Sequence, residues 1–365
     1  MKRFTYPLGV IALALLLAFT PAAANAAGPF LGQFNKISVV ASTVPANGDV
    51  NPYGIFVIPR STGNLVRGNV LVSNFNASSN LQGTGTTIVE IAPNGTTKLF
   101  AKLDASHLPG ACPGGLGLST ALAVLRSGWV IVGSLPTQDG SSATAMAGCL
   151  IVLNSRGKPV ETLSGGSING PWDMTVFDND ERAVLFVTNV LNGTVAASPN
   201  VVNKGSVVRI VLSTNEDRKP RELSRTVIAS GFPERTDPAA LVVGPTGVGI
   251  GFRGTLYVAD TQQNRIAAIP NALTRHSDAG MGNTVSMNGA INAPLGLTIA
   301  PNGDILIANG GDGNLVEITP GGSQVTTKTV EPGGAGTLFG LALVPHGKGV
   351  YFVDDGTNQL GLLSK

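Results

Sequence analysis

The side chains in this sequence that could bind a ligand or carry catalysis are amides, carboxylates and two aromatic rings at the ends of short apolar runs. Oxygen donors of this kind are the ligands that calcium and magnesium prefer in proteins. The sequence therefore allows a cation-assisted site or a polar binding surface, if the fold brings these residues together. Those that enter an apolar run are Asn51, Tyr53, Asn169, Trp172, Asp173, Asp237 and Asn292, and those that close one are Asn74, Asn189, Asp260, Asn309 and Asp354.

Each of these residues also has a structural explanation. Asn and Asp at a strand end cap the following turn by hydrogen bonding to its backbone. Trp172 beside Asp173 could form a ligand platform, or Trp172 could pack between structural units. Arg265 could contact a turn or a neighbouring structural unit, hold a substrate, or form an ion pair with Asp260. From the sequence alone we assign no catalytic residue and no metal ligand.

Histidine-dependent chemistry is disfavoured. The chain has three histidines, His107, His276 and His346, in separate loop-like segments that are not expected to converge. A zinc centre needs several such ligands, and a Ser-His-Asp triad needs one histidine beside the nucleophile. The G-x-S-x-G elbow of the α/β-hydrolases is also absent from the sequence.

The polar residues that close apolar runs belong to one repeated pattern. It occurs six times, as NVLVSN, WVIVGS, VLFVTN, LYVAD, DILIAN and GVYFVD, at intervals of 45 to 71 residues. Another apolar run precedes each copy, as in NPYGIFVIP for the first and TDPAALVVG for the fourth. A third run follows each copy and a more polar fourth run follows most of them. Four short strands per repeat, separated by turns such as Pro-Asn-Gly, predict an all-β, six-bladed β-propeller with four-stranded antiparallel blades.

The last repeat lacks room for a fourth strand, and a strand-like segment is left over before the first. We therefore predict that residues 34–45 complete the last blade and close the ring, which removes an open sheet edge. The predicted blades are residues 50–105, 114–166, 169–231, 236–290, 291–332 and 336–365, within a single domain over 27–365.

Residues 1–26 have the features of a secretory signal peptide: two basic residues, an apolar stretch and Ala-Asn-Ala before the cut. We predict an exported, periplasmic or secreted monomer without a membrane span. Outside the cell's reducing interior, Cys112 and Cys149 are expected to form a disulfide, the alternative being two buried thiols. Without Lys2 and Arg3, the 24 basic and 22 acidic residues balance. This balance favours neither nucleic acid nor an anionic membrane as a partner.

The segment LYVADTQQNRI resembles the blade of the NHL-repeat family, and APLGLTIAPNGDILIAN, PWDMTVFDNDERAVLFVTN and LFGLALVPHGKGVYFVDDGTNQL fit that template more loosely. The resemblance covers most of the mature chain. Propellers of similar architecture include gluconolactonase-like hydrolases, antibiotic-opening lyases, the peptide-amidating lyase and non-catalytic binding modules. The resemblance implies ligand binding over the central channel, where the twelve polar and aromatic residues named above would lie.

Two functional hypotheses follow. In the first, the protein is a non-catalytic module that binds a protein, peptide or carbohydrate on the channel face or on insertion loops of the first three blades. In the second, it is a metal-assisted hydrolase or lyase of the gluconolactonase-like group, with Asp173 or Asp237 as a base. That group binds its cation through a Glu, an Asn and an Asp from separate blades, and no Glu enters a blade here. A structural envelope protein is a third possibility.

Overall fold

The computed structural model describes residues 1–2, 28–215 and 218–365, so most of the predicted signal peptide lies outside the described residues. The first three blades contain β2 (Val50–Val57), β3 (Val70–Asn76), β4 (Thr87–Ile91), β5 (Thr97–Lys102), β6 (Leu118–Val124), β7 (Val130–Ser134), β8 (Cys149–Leu153), β9 (Pro159–Leu163), β10 (Pro171–Asp178), β11 (Arg182–Asn189), β12 (Val202–Asn215), β13 (Arg218–Asp237) and β14 (Leu241–Val243). The last three contain β15 (Pro245–Ile250), β16 (Leu256–Asp260), β17 (Arg265–Ile269), β18 (Asn283–Met287), β19 (Pro294–Ile299), β20 (Ile305–Asn309), β21 (Asn314–Ile318), β22 (Gln324–Thr329), β23 (Leu338–Leu343), β24 (Gly349–Asp354), β25 (Gln359–Ser364) and, from the start of the chain, β1 (Lys36–Ser42).

These strands form six antiparallel sheets, which confirms the predicted six-bladed propeller. Five sheets have four strands, and the third has five because β14 pairs with the end of the long strand β13. Apolar side chains of adjacent sheets pack against one another all around the ring, and a further cluster fills its centre. The only α-helix in the described ranges is a single turn, Thr194–Ala197.

The N-terminal strand closes the ring as predicted. β1 pairs antiparallel with β25, so that the last blade takes its outer strand from the start of the chain. The segment just before β1 is held on blade five, where the backbone N–H groups of Phe30 and Leu31 donate to the two carboxylate oxygens of buried Glu317 at 2.6 and 2.7 Å. The first and last strands of the chain are therefore joined, and both are tied to a neighbouring blade.

The inner strand of blade four differs from the sequence prediction. The apolar run TDPAALVVG was expected to supply it, but β15, Pro245–Ile250, pairs with β16 in that position. Leu241–Val243 instead pairs back onto Arg235–Asp237. The reason is a tight turn in which Asp237 Oδ1 accepts hydrogen bonds from the backbone N–H groups of Ala239 and Ala240, at 2.9 and 3.0 Å. Asp237 therefore lies at the end of an outer strand.

Each blade runs between two faces of the ring. We call the face where the inner strands begin the entry face, and the face where they end the exit face. The connections from second to third strand, and from one blade to the next, lie on the entry face. Here Cys112 and Cys149 form the predicted disulfide, which ties the segment before blade two to β8. This disulfide is compatible with an extracytoplasmic location. No helix in the described ranges is both long and apolar enough to cross a membrane.

Candidate functional site

The Asn and Asp residues that close the second strands are buried and hydrogen-bonded to segments close to them in the fold. Asn189 Oδ1 accepts from the backbone N–H of Asn169, and Asn309 Oδ1 accepts in the same way from Asn292, both at 3.1 Å. Asn74 Nδ2 donates to the Thr43 carbonyl at 3.0 Å. These bonds hold the segment that enters an inner strand or the strand that closes the ring. In this structure, the amides stabilise turns and do not line a cavity.

The two aspartates of this set have equally local partners. Asp354 Oδ1 accepts from the Gly356 N–H at 2.9 Å, and Asp354 Oδ2 accepts from the Thr357 hydroxyl. Asp260 forms an ion pair with Arg265, one of the contacts that the sequence left open, with 2.9 Å between Oδ2 and Nη2, and both side chains are buried. These carboxylates therefore cap or brace a blade.

Aromatic side chains fill the centre of the ring at the entry face. The ring of Phe339 stacks on that of Tyr53, 3.8 Å between centroids, and Tyr53 stacks on Phe75 at 4.5 Å. The Trp172 ring lies 6.3 Å from that of Phe339, and its Nε1 donates to the Val242 carbonyl at 3.0 Å. We call Tyr53, Phe75, Trp172 and Phe339 the aromatic plug. Trp172 thus packs on the axis of the ring, not on an open platform.

Close approach of the inner strands positions the plug. Tyr53 and Phe339 are each followed by a glycine, and a Cβ at Gly340 would lie 2.5 Å from the Tyr53 carbonyl oxygen. Likewise, a Cβ at Gly296 would lie 1.9 Å from the Phe339 carbonyl oxygen. Glycine at these positions lets each inner strand press against the next, which narrows the axis around the rings. In blade three, Asp173 occupies the corresponding position after Trp172.

Asp173 lies on the other side of the plug, in a cavity of about 220 Å³ on the ring axis. Its Oδ1 accepts from the Met174 N–H at 2.7 Å, and its Oδ2 accepts from the Val248 N–H of the next blade at 3.0 Å. Burial raises the pKa of this carboxyl to about 7, against the opposing effect of the two hydrogen bonds. Asp173 therefore joins two inner strands and is separated from the other predicted carboxylates by the plug.

A larger cavity, of about 480 Å³, opens on the entry face, where it is lined by the last two strands of blade three and by residues of blades four to six. We call it the entry-face cavity. Apolar and aromatic side chains, including Val243, Leu295 and Phe339, form its floor. Two of the predicted residues, Asp237 and Asn292, lie in its wall. The polar wall residues that sequence reasoning missed are Arg235, Thr261, Gln262 and Asn264. Arg235 could have been found, because residues two apart on a strand share a face.

The polar wall of the entry-face cavity is charge-balanced. Arg235 Nη2 lies 2.8 Å from Asp237 Oδ2, and Arg235 Nε donates to Gln262 Oε1 at 3.2 Å. Asn264 Oδ1 accepts from the Ala293 N–H at 2.6 Å, and Asn292 Nδ2 donates to Asp312 at 3.2 Å. The wall thus presents both hydrogen-bond donors and hydrogen-bond acceptors. Hydrogen bonds to the backbone fix the positions of some of these side chains.

Insertion loops cover the remaining part of the entry face. The Nε2 of Gln82, in blade one, donates to the Pro238 carbonyl at 2.8 Å. The backbone carbonyl of Gln82 accepts from the Thr137 hydroxyl. Glu234 is bonded to the loop of blade three, where it accepts from the Asn192 N–H at 2.8 Å. Because these loops pack over blades one to three, the open cavity lies to one side of the ring axis.

The last predicted residues have structural contacts as well. The backbone N–H of Asn51, a residue with φ of 58°, donates to Asn358 Oδ1 at 2.7 Å. Asn169 donates its Nδ2 to Asn192 Oδ1. By contrast, the buried hydroxyl of Tyr53 has no hydrogen-bond partner among the described residues. Burial and the negative charges of Asp355 and Asp237 raise the pKa of Tyr53 well above its usual value, so it remains a neutral phenol.

The divalent cation implied by the gluconolactonase-like resemblance does not fit this site. The part of the chain that the structure describes contains no group of three or more His, Cys, Asp or Glu side chains that could hold a metal ion. The axis of the entry face, where residues of separate blades could converge on an ion, is occupied by the aromatic plug. We therefore derive no chemistry through a cation.

Four buried or half-buried carboxyls make stability depend on pH. Burial raises the pKa of Asp304 to about 6, of Asp173 and Glu234 to about 7, and of Asp355 to about 8. Between pH 4 and 8 the folded chain therefore holds protons that the unfolded chain releases. Stability is greatest at the acidic end and falls as pH rises from about 4 to about 8. We expect a higher melting temperature at pH 5.5 than at pH 8.

Asp355→Asn tests this expectation, since the amide cannot ionise. It should raise the melting temperature strongly at pH 8 and much less at pH 5. The matched control is Asp139→Asn, at an exposed carboxyl whose pKa is lowered by hydrogen bonds from Thr144 and Ser141. A melting temperature that rises from pH 5.5 to 8 in the unmodified protein would contradict the assignment.

Comparison with known proteins identifies the fold class. The chain matches no family model, so the NHL-repeat assignment remains a resemblance. It also matches no curated protein. Among solved structures, it is similar to a gluconolactonase from Xanthomonas campestris, at 12% identity and a TM-score of 0.55, over 91% of this chain and 90% of that one.

Two further solved structures share the architecture. One is a PQQ-bound aldose sugar dehydrogenase from Streptomyces coelicolor, at 16% identity and a TM-score of 0.55, over 90% of this chain and 98% of that one. The other is a virginiamycin B lyase from Staphylococcus aureus, at 14% identity and a TM-score of 0.51, over 90% and 99%. At these identities the likeness shows the six-bladed propeller fold, which hosts binding proteins and enzymes alike.

Proposed function

We propose that this protein is a non-catalytic binding module whose entry-face cavity takes a small, neutral, hydroxyl-rich ligand of the carbohydrate type. The observation that carries this proposal is the composition of the cavity wall. The Arg235–Asp237 ion pair and the side-chain amides of Gln262, Asn264 and Asn292 surround an apolar floor. Cavities with a few fixed polar groups over apolar surface are the usual form of small-molecule sites.

The chemistry of the ligand follows from the donors and acceptors. A sugar hydroxyl both donates and accepts, and amides and a carboxylate–guanidinium pair offer both functions side by side. A strongly charged ligand would meet either Asp237 or Arg235 with a like charge and would gain little from the compensated pair. The apolar floor of Leu295, Val243 and Phe339 suits the C–H face of a sugar ring.

The metal-assisted hydrolase or lyase remains the weaker alternative. Its support is that a gluconolactonase and a virginiamycin B lyase share the fold of this chain. The sequence identities of 12% and 14% are too low to assign the activity of either protein to this chain. Among the described residues, the plug also separates Asp173 from Asp237, the two carboxylates proposed as a base, which supports the binding module over a cation-assisted reaction.

Calorimetric titration of the mature protein with a panel of monosaccharides and short oligosaccharides tests the proposal. Gln262→Ala removes one amide from the wall and should raise the Kd of the best sugar roughly three- to tenfold, the usual value of one hydrogen bond. The control is Gln263→Ala, the same exchange at the exposed neighbour that does not line the cavity.

Three outcomes would contradict the proposal. If Gln262→Ala and Gln263→Ala weaken sugar binding equally, or if no sugar binds, the entry-face cavity is not a carbohydrate site. If the protein hydrolyses a sugar lactone only after calcium or magnesium is added, the enzymatic alternative replaces the binding module.

A further inference from the structure

The balanced net charge of the mature chain conceals an uneven distribution. Because the strands of a blade are antiparallel, the connections from first to second and from third to fourth strand all emerge on the exit face. In blade one, the first of these connections carries Arg60 and Arg67. In blade two they carry Arg126, and then Arg156 and Lys158. All five side chains are exposed.

The basic residues continue around the exit face. Blade three contributes Lys219 and Arg221 near the tip of the β12–β13 hairpin, blade four Arg253 and blade six Lys348. All four are exposed as well. Acidic residues compensate part of this positive charge. Asp180 Oδ1 lies 3.5 Å from Arg60 Nη2, and Asp180 Oδ2 lies 3.6 Å from Arg126 Nη1. Lys219 forms an ion pair with Glu161. The exit-face connections also contain the acidic residues Glu181, Asp278 and Asp304, and Glu216 and Asp217 lie between β12 and β13 in the sequence. Basic residues still outnumber acidic ones on these connections, so the exit face has a modest positive excess.

The entry face has the opposite character. Asp104 and Asp139 are exposed there, and Asp312, Glu331 and Asp355 are half-buried. Burial and the nearby Asp354 charge raise the pKa of Glu331, which indicates crowded carboxylates. The entry face also carries Lys102 and Lys204, but the acidic residues there outnumber the basic ones, so the exit face is the more positive side of the protein.

Exposed apolar side chains stand among the exit-face cations. Phe252, in the first connection of blade four, is 77% exposed and precedes Arg253. Val66, in the corresponding connection of blade one, is 45% exposed and precedes Arg67. A basic surface alone attracts any polyanion. Apolar groups beside the charges suit a surface that also has an apolar interior, namely a lipid bilayer.

We propose that the exit face docks on an anionic membrane surface. The arginine and lysine side chains bind lipid phosphates, and Phe252 and Val66 enter the boundary between headgroups and acyl chains. Nucleic acids and acidic polysaccharides are less suited, because neither has an apolar interior in which Phe252 and Val66 could be buried. In this orientation, the entry-face cavity points away from the membrane and stays open to solution.

Co-sedimentation of the full mature chain with lipid vesicles tests this proposal. The protein should bind vesicles of phosphatidylcholine with phosphatidylglycerol, should not bind phosphatidylcholine alone, and should dissociate in high salt. The double variant Arg156→Glu/Lys158→Glu should weaken binding at least about tenfold, since each basic residue near an anionic surface contributes measurably to attraction. The matched control is Lys102→Glu/Lys204→Glu, two exposed lysines of the entry side, which should bind like the unmodified protein.

Phe252→Ser separates lipid docking from general polyanion binding. It should weaken vesicle binding about tenfold, the value of burying one such side chain, and leave retention on immobilised heparin unchanged. A thermal melt of each variant checks that it is folded. The proposal is overturned if phosphatidylglycerol vesicles do not bind at low salt, if both double variants lose binding equally, or if Phe252→Ser has no effect on vesicle binding.

Discussion

Replacing Phe339 with alanine is expected to lower the free energy of unfolding by about 3–5 kcal/mol, the usual cost of deleting a buried aromatic ring. Phe339 is 1% exposed, and its ring lies between those of Tyr53 and Trp172 at the centre of the propeller. Three blades therefore lose a shared contact at once. Urea unfolding of the variant, followed by circular dichroism, measures the change.

The matched control is Phe252→Ala, the same exchange at a ring that is exposed on the exit face. It should change the free energy of unfolding by no more than about 0.5 kcal/mol, as surface substitutions usually do. If Phe339→Ala costs no more than this control, the aromatic plug fills the channel without holding the blades together.

Arg265→Met is expected to destabilise the protein by about 3–5 kcal/mol, because it leaves the Asp260 carboxylate buried without its counter-charge. Arg265 is 4% exposed and also donates from Nη1 to the Thr284 hydroxyl and from Nη2 to the Met281 carbonyl, both at 3.1 Å. It thus joins the end of the second strand of blade four to the outer strand and the loop before it. Chemical denaturation at neutral pH measures the loss.

A second variant separates the lost charge from the lost packing. In Arg265→Met/Asp260→Asn the buried charge is gone, so part of the stability should return. Burial already raises the pKa of Asp260, against the influence of Arg265. Without Arg265 that pKa should rise further, and the single variant should lose less stability at acidic than at neutral pH. Equal stability of the single and double variants would show that the Asp260 charge is unimportant.

The fold could be predicted from the sequence because its signals are local. Short apolar runs and Asn-Gly turns repeat along the chain, and the missing last strand had one candidate, the segment before the first repeat. Blade four shows the limit of this reasoning. TDPAALVVG and PTGVGI are both apolar runs after a possible turn, and only pairing across the sheet shows that the second is the inner strand.

The candidate site was less predictable from the sequence, since it depends on the direction in which each side chain points and on how deeply that side chain is buried. Tyr53, Trp172 and Asp173 lie in equivalent parts of their strands, and the register shifts between Pro52 and Gly54 and between Pro171 and Met174 decide where they point. The two rings enter the plug and the carboxyl lies beneath it. Likewise, the total charge is a property of composition, whereas its separation onto two faces is a property of strand order.

The closure of the ring by β1 links folding to the order of synthesis. Thr43 donates its hydroxyl proton to the carbonyl of Asn358, 315 residues further along the chain. A ribosome makes β1 first and its partner β25 last, so the earliest strand must wait, unpaired, for almost the whole chain to emerge. Contacts this distant form slowly. A chain that crosses a membrane in extended form would reach the far side before its ends could meet, and assembly would be deferred to that compartment.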